Sequence, residues 1–453
     1  MPYFAQTNFP MNHASVEQTA SLQYRLRTVG EAPHRFHLRR LADCDTAGWA
    51  TCATEDAILS PPQNPTAKGS WSDPTDPCSS PGNWPPAPER RPAAKGFIVA
   101  LAFALLLAGI TEEEARAAEN PIAVEKIFGP ETPTGQYKHP SSITELDNGD
   151  LYLAFYTGAG EYASETRIYG SRLRKGSTTW SAPVTIASNP FYSMGNPAVW
   201  QAPDGVLWNF FVVRPGTTWS TSRTAAKISR DRGETWSDAF IVAWEAGMMV
   251  RSRPILLADG AYLLPLYHET GSDPDRTDPD TSSVFFRFDP KTKVWTESNR
   301  VKSRLGNLQA AVVETEPGRL LALCRRGGDY EPGEDGNVVR TESTDGGKTW
   351  TPGVETEFPN PNAAVELIRL RNGHLLVIYN DSPNDRTPLR AAISTDGGKT
   401  WPYRRNIAEG PGDFAYPTAI QTKDGRIHVT YTSDERTVLR RAIFPESAIL
   451  ATP

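Results

Sequence analysis

One hairpin unit recurs six times between residues 120 and 447, and few folds accept a chain built that way. Each unit has an apolar strand, a tight turn ending in glycine, and a second strand that is almost continuously apolar. The turn glycines are Gly149, Gly205, Gly260, Gly318, Gly373 and Gly425, separated by 56, 55, 58, 55 and 52 residues. Asn-Gly and Asp-Gly between apolar runs are strong hairpin signals, because both residues tolerate positive φ. The second strands (LYLAFY, LWNFFVV, YLLPLY, LLALC, HLLVIY, IHVTYT) lack polar alternation, as strands buried on both faces do. A repeat of this length matches one four-stranded blade. The expected fold class is all-β, a six-bladed β-propeller.

A second marker keeps the same period. Ser229 to Trp236 matches S-x-D-x-G-x-T-W, as do Ser343 to Trp350 and Ser394 to Trp401, and weaker versions end at Trp180 and Trp295. The five tryptophans lie 56, 59, 55 and 51 residues apart. In such a turn the Asp carboxylate accepts bonds from its own backbone, Gly supplies positive φ, and Trp fills the gap between blades. A calcium loop would need further acidic ligands and a closing Glu, which these turns lack. The last unit ends after its third strand, so Ile122 to Phe128 is expected to supply the fourth and close the ring.

Before the repeats, Phe97 to Ile110 (FIVALAFALLLAGI) is an apolar run too short to span a bilayer comfortably. Arg90, Arg91 and Lys95 precede it, and Ala115-Arg116-Ala117 follows, the pattern of a secretory signal peptide. The expected organisation is a disordered leader or over-extended reading frame at 1–89, a signal peptide at 90–117, and the propeller at 118–453. Against an internal start, no Met lies between Met11 and the apolar run. Export to the periplasm or the medium follows, with no stable membrane span after cleavage. The net charge of −6 gives no electrostatic case for nucleic acid. Beyond the leader the only cysteine is Cys324, so no disulfide framework or Cys metal site is available there, and its apolar strand marks a structural thiol. No cofactor and no metal are expected.

In a propeller the innermost strands line a central funnel, so residues at one offset in each blade should face one pocket. Nine residues before each turn glycine stand Pro140, Asn196, Arg251, Gln309, Ala364 and Tyr416. Lys138, His139, Asn307 and Asn362 neighbour them at the mouth, and Arg253 follows Arg251 in Val-Arg-Ser-Arg-Pro. The far ends of the second strands bring Arg214, His268, Glu269, Arg325, Arg326 and Asp381 toward the same face. Each has an ordinary structural alternative. Tyr416 could be a core residue, Arg325 and Arg326 an exposed strand end, and Asn196 and Asn362 turn formers beside proline.

Asp boxes on a six-blade period resemble the sialidase (neuraminidase) superfamily, over roughly residues 130 to 445. The resemblance implies three arginines that clamp a sugar carboxylate, a Tyr nucleophile activated by a Glu, and an acid/base Asp. Ala415-Tyr416-Pro417 before an Asp-Gly hairpin is similar to the family's Ala-Tyr-Ser segment, which implies that Tyr416 is the nucleophile. Arg386, eight residues before Ser394, resembles the third arginine, and Arg325 the second, with Arg326 competing. The departures are plain. Tyr137-Lys138-His139-Pro140-Ser141 replaces Tyr-Arg-Ile-Pro-Ser, Gln309 stands for the activating Glu, and the loop after the first hairpin offers only Glu161 and Glu165 as acid. A neutral amide cannot take a phenolic proton. The pattern fits a divergent, bacterial sialidase-like branch carrying BNR/Asp-box repeats.

The implied function is a secreted, exo-sialidase-like glycoside hydrolase acting on a terminal acidic sugar, with a glycan or oligosaccharide as its partner. Catalytic candidates are Tyr416, Gln309, Glu161 and His139. Substrate-binding candidates are Lys138, Asn196, Arg251, Arg253, Arg325, Arg326, Asn362 and Arg386. Two alternatives stay open. One is a uronate lyase using His139 and Tyr416 as base and acid; the other is a carbohydrate-binding propeller without catalysis.

Overall fold

Hairpins whose second strands are apolar on both faces must stack sheet against sheet, and six of them do so around an axis. The computed structural model describes residues 121–273, 276–329 and 336–451. The expected leader at 1–89 and the expected signal peptide at 90–117 lie outside the described residues. Six antiparallel sheets of four strands each follow in chain order, with one inner strand divided in two. The inner strands are Tyr137–Glu145, Ser193–Gln201, the pair Met248–Val250 and Ile255–Leu256, Asn307–Glu316, Glu366–Arg369 and Ala415–Gln421. Successive inner strands pack side by side and the sixth returns to the first; between blades 3 and 4 the second strand Tyr262–His268 makes the contact. This is the expected six-bladed propeller. Among the described residues, no helix is long and apolar enough to cross a membrane.

The second strands form the bulk of the core. Leu151–Gly158 and Leu375–Asn380 are buried at every position, and Cys324 lies among such residues, its thiol pushed up to about 12 by burial. All six hairpin-turn glycines have positive φ, between 78° and 93°. Closure works as the sequence implies. Ala123–Phe128 pairs antiparallel with Val438–Phe444, completing the sixth blade from the N-terminal side.

The Asp boxes tie the outer turns. Asp231, Asp345 and Asp396 each accept the amide of the Thr four residues on, at 2.9 Å, and a Ser hydroxyl at 2.7–2.8 Å. The box tryptophans wedge against the preceding blade. Trp350 stacks on Phe285 of blade 3 with centroids 3.8 Å apart, and Trp401 meets Phe358 of blade 4 edge-on at 5.7 Å.

The inner strands carry the feature that builds the site. Four are interrupted by register shifts, at Lys138/Ser141, Gly195/Ala198, Leu308/Ala311 and Ala415/Thr418. Asn196, Gln309 and Tyr416 sit inside three of these bulges with φ of 46°, 54° and 54°, and Asn362 precedes the fifth inner strand at 51°. A bulge re-aims the extra residue out of the alternating pattern, here toward the axis.

Candidate active site

A cleft of about 610 Å³ opens at the end of the funnel opposite the hairpin turns. Tyr416, Gln309 and Asn196 line it from their bulges, Arg325 from the end of a second strand, and Glu161 and Arg386 from loops. Six of the catalytic and substrate-binding candidates therefore share one wall system.

Tyr416 is its centre. Arg325 donates from Nη1 to the Tyr416 hydroxyl at 2.7 Å and to Gln309 Oε1 at 3.1 Å, while its Nε is held by Asn362 Oδ1 at 2.6 Å. Arg386 donates to the Asn362 carbonyl at 3.2 Å. The guanidinium carbons of Arg386, Arg325 and Arg251 lie 5.7, 5.8 and 5.9 Å from the Tyr416 ring centroid. Burial alone would raise the Tyr416 phenol. Arg325, Arg386 and Arg436 outweigh it and bring the group below its ordinary value, against an opposing push from Glu161. The arrangement eases ionisation of the phenol and leaves cations facing the cleft.

Several candidates stand behind the wall. His139 is buried, stacks edge-on against Tyr416 with centroids 4.1 Å apart, and bonds through Nδ1 to Thr432 Oγ1 at 2.8 Å. Burial and the surrounding arginines push the imidazole well below its usual value, so it is neutral. Arg251 pairs with buried Glu366 at 3.1 Å and donates to the Pro417 carbonyl beneath the cleft. Asn362 acts on Arg325 and bonds Gly328 O at 2.9 Å.

Three candidates lie away from the cleft lining. Lys138 turns its Nζ to the Gly135 carbonyl, Arg253 donates to the Ala419 carbonyl at 3.1 Å, and Arg326 binds the carbonyls of Asn360, Gly327 and Asp329. Each spends its charge on backbone.

Other cleft residues escaped the sequence reading or were left among strand ends. Arg436 lines the cleft, pairs with Glu161 at 2.5 Å and reaches toward the Tyr137 hydroxyl at 3.5 Å. It belongs to Asp434-Glu435-Arg436, three consecutive residues at φ of 53–63° with no glycine to announce the turn. Tyr267 receives the amides of Asn196 at 3.2 Å and Gln309 at 3.4 Å. On the side of blades 1 and 2, buried Arg214 lies 4.7 Å from both Tyr162 and Trp219, whose rings border the opening. Glu269 follows the second strand of blade 3 and lines the same cleft; burial brings its carboxyl up to about 7, with Arg325 opposing and Glu161 adding to the rise. Counting to the second-strand ends brings Glu269 to this face, and carrying the count past the sixth would have gathered Arg436.

Comparison with known proteins agrees with this architecture. A Hadza microbial sialidase superposes with a TM-score of 0.61 at 19% identity, covering 72% of this chain and 69% of that one. The intramolecular trans-sialidase from Ruminococcus gnavus gives 0.59 at 16%, covering 72% and 98%. An α-L-arabinofuranosidase from Fusarium graminearum gives 0.55 at 13%, covering 72% and 99%. At such identities the likeness is one of fold. No curated protein matches the sequence. The family described as BNR repeat-like domain matches residues 149–429, more than half of the chain. With its Asp boxes and six blades, the chain belongs to the BNR repeat-like domain family.

Proposed function

We propose that the protein is an exported glycoside hydrolase that removes a terminal acidic sugar, sialidase-like in chemistry, with Tyr416 as nucleophile. One observation carries the reading: the Tyr416 hydroxyl accepts a bond from Arg325 within a ring of guanidinium groups. Such a ring does two things. It binds a sugar carboxylate through charge-assisted bonds, and it stabilises the phenolate that must attack. A tyrosine nucleophile keeps a second carboxylate away from an anionic substrate. The amide at Gln309 then ceases to be an obstacle, because the arginines do by charge what a glutamate would do by proton transfer. Glycosidases among the fold relatives support a glycan substrate, and the segment at 90–117 supports export.

The lyase reading needs His139 as base, but its imidazole is packed behind Tyr416 and bonded to Thr432. The test is to incubate the purified protein with sialosides and, separately, with uronate oligosaccharides. Release of free sialic acid is expected. Absorbance from an unsaturated uronate would replace the hydrolase by a lyase, and binding without turnover would leave a carbohydrate-binding propeller. Arg386→Lys keeps charge but loses the planar fork, so KM for the acidic substrate should rise about tenfold with melting unchanged.

A further inference from the structure

We propose that Glu269, rather than Glu161, donates the proton to the leaving oxygen and later takes one from water; this rests on the hydrolase reading above. Both carboxylates line the cleft that holds Tyr416. They are occupied differently. Glu161 is committed to Arg436, by an ion pair and hydrogen bond at 2.5 Å. A proton on Glu161 would have to displace a guanidinium before it reached a substrate. Glu269 has a backbone bond from its amide to the Gly247 carbonyl at 2.9 Å, while its carboxylate has no hydrogen-bond partner among the described residues. It is fixed by its main chain and open at its functional end.

The charged and titratable surroundings are consistent with that division. Glu269 faces Arg325 and Glu161, with Tyr267 beside it and Asp273, Arg276 and Asp329 also on the cleft. His268, the preceding residue, pairs with Glu245 at 3.4 Å. Raised to about 7, the Glu269 carboxyl is shared between acid and base forms near neutral pH, as an acid that must later act as base requires. The steps balance as follows. Phenolate Oη of Tyr416 bonds to the anomeric carbon as the glycosidic C–O bond breaks, and the departing oxygen takes the Glu269 proton. Water then bonds to the same carbon and gives its proton to the Glu269 carboxylate as the aryl C–O bond breaks, regenerating phenolate.

The experiment compares two substrates that differ in leaving group. Methylumbelliferyl sialoside leaves without protonation, whereas sialyllactose needs a proton. Glu269→Gln should lower kcat on sialyllactose by about two orders of magnitude, the scale of a lost general acid, and on the aryl substrate by less than about tenfold. The alkaline limb of the sialyllactose profile should disappear. Glu161→Gln should act alike on both substrates. Glu269→Asp, which retains a carboxyl, should restore the alkaline limb and guards against a folding artefact. Equal losses on the two substrates in Glu269→Gln, with wild type active and Tyr416→Phe silent, would overturn the acid role alone. No wild-type turnover of either sialoside would overturn it together with the sialidase reading.

Discussion

In the six turns joining first and second strands, the position that needs positive φ is glycine every time; in the inner strands it is Asn196, Gln309, Asn362 or Tyr416. Glycine enters the left-handed region at little steric cost, whereas a residue with Cβ pays on the order of 1–2 kcal/mol there. The six hairpin turns therefore repeat the inexpensive solution, and the cleft ends of the inner strands tolerate strain at four positions. What the cleft gains is a polar or aromatic side chain aimed at the axis from a rigid strand. Strain held by surrounding structure is a mark of functional positions, and here it singles out the residues around Arg325.

That contrast can be broken or sharpened by substitution. The largest effect belongs to the cleft. Tyr416→Phe keeps the ring and removes the hydroxyl, so turnover of the acidic glycoside should fall by at least about two orders of magnitude, while unfolding free energy shifts by about 1 kcal/mol. Steady-state kinetics beside denaturant unfolding separates the two; near-native turnover would remove the nucleophile role. Next comes an Asp-box glycine. Gly398 has φ +86°, and an added Cβ would stand 2.6 Å from Leu321 Cδ2 and 3.3 Å from Leu375 Cδ1. Gly398→Ala should destabilise by about 2–4 kcal/mol, strain plus overpacking, with kcat unchanged. Gly205→Ala isolates the strain. Its φ is +82° and nothing lies within 4 Å of the new methyl, so the cost should be about 1 kcal/mol. Equal losses in the two variants would show that packing around the box adds nothing.

The smallest effect is a pH dependence at the hairpin end. Thr235 and Ser229 hold Asp231 at about 2, and Thr349 and Ser343 bring Asp345 to about 2 although burial opposes them. Both values lie below the unfolded carboxylate value of about 3.9. The stabilisation is therefore fully present above pH about 4 and is lost as pH falls through about 2. Unfolding midpoints should decline across that window, and Asp345→Asn should make the decline shallower. Exposure of Asp231 to solvent keeps its share small.

The architecture was legible because its signals are periodic: turn glycines and box tryptophans repeat at nearly constant spacing, and each repeat does the same local job. The cleft was legible where it inherits that period. Counting from the turn glycines reached Asn196, Gln309 and Tyr416, but in blade 5 it reached Ala364, two residues beyond the left-handed Asn362. Glu269 was reached by counting to the second-strand ends, but Arg436 stands in a loop past the sixth, where the loop path sets direction and no period applies. Lys138 and Arg326 show the converse. They sit near the mouth in sequence, yet carbonyls of adjacent loops claim their charges. Sequence spacing places a Cα; which neighbour a long cationic side chain chooses depends on carbonyls contributed by distant segments.

The closing strand has a consequence for how the molecule is made. Ala123 is paired with Ile443, so the first of the described strands must wait for roughly 300 further residues before its partner exists, and contacts of such high sequence separation form slowly. Five blades can assemble in order as they emerge, each from local hairpins. The sixth remains three strands with an unpaired edge until the two ends of the propeller meet. The last event of folding is then also the one that joins Tyr137, from the beginning of the ring, to Arg436, from its end.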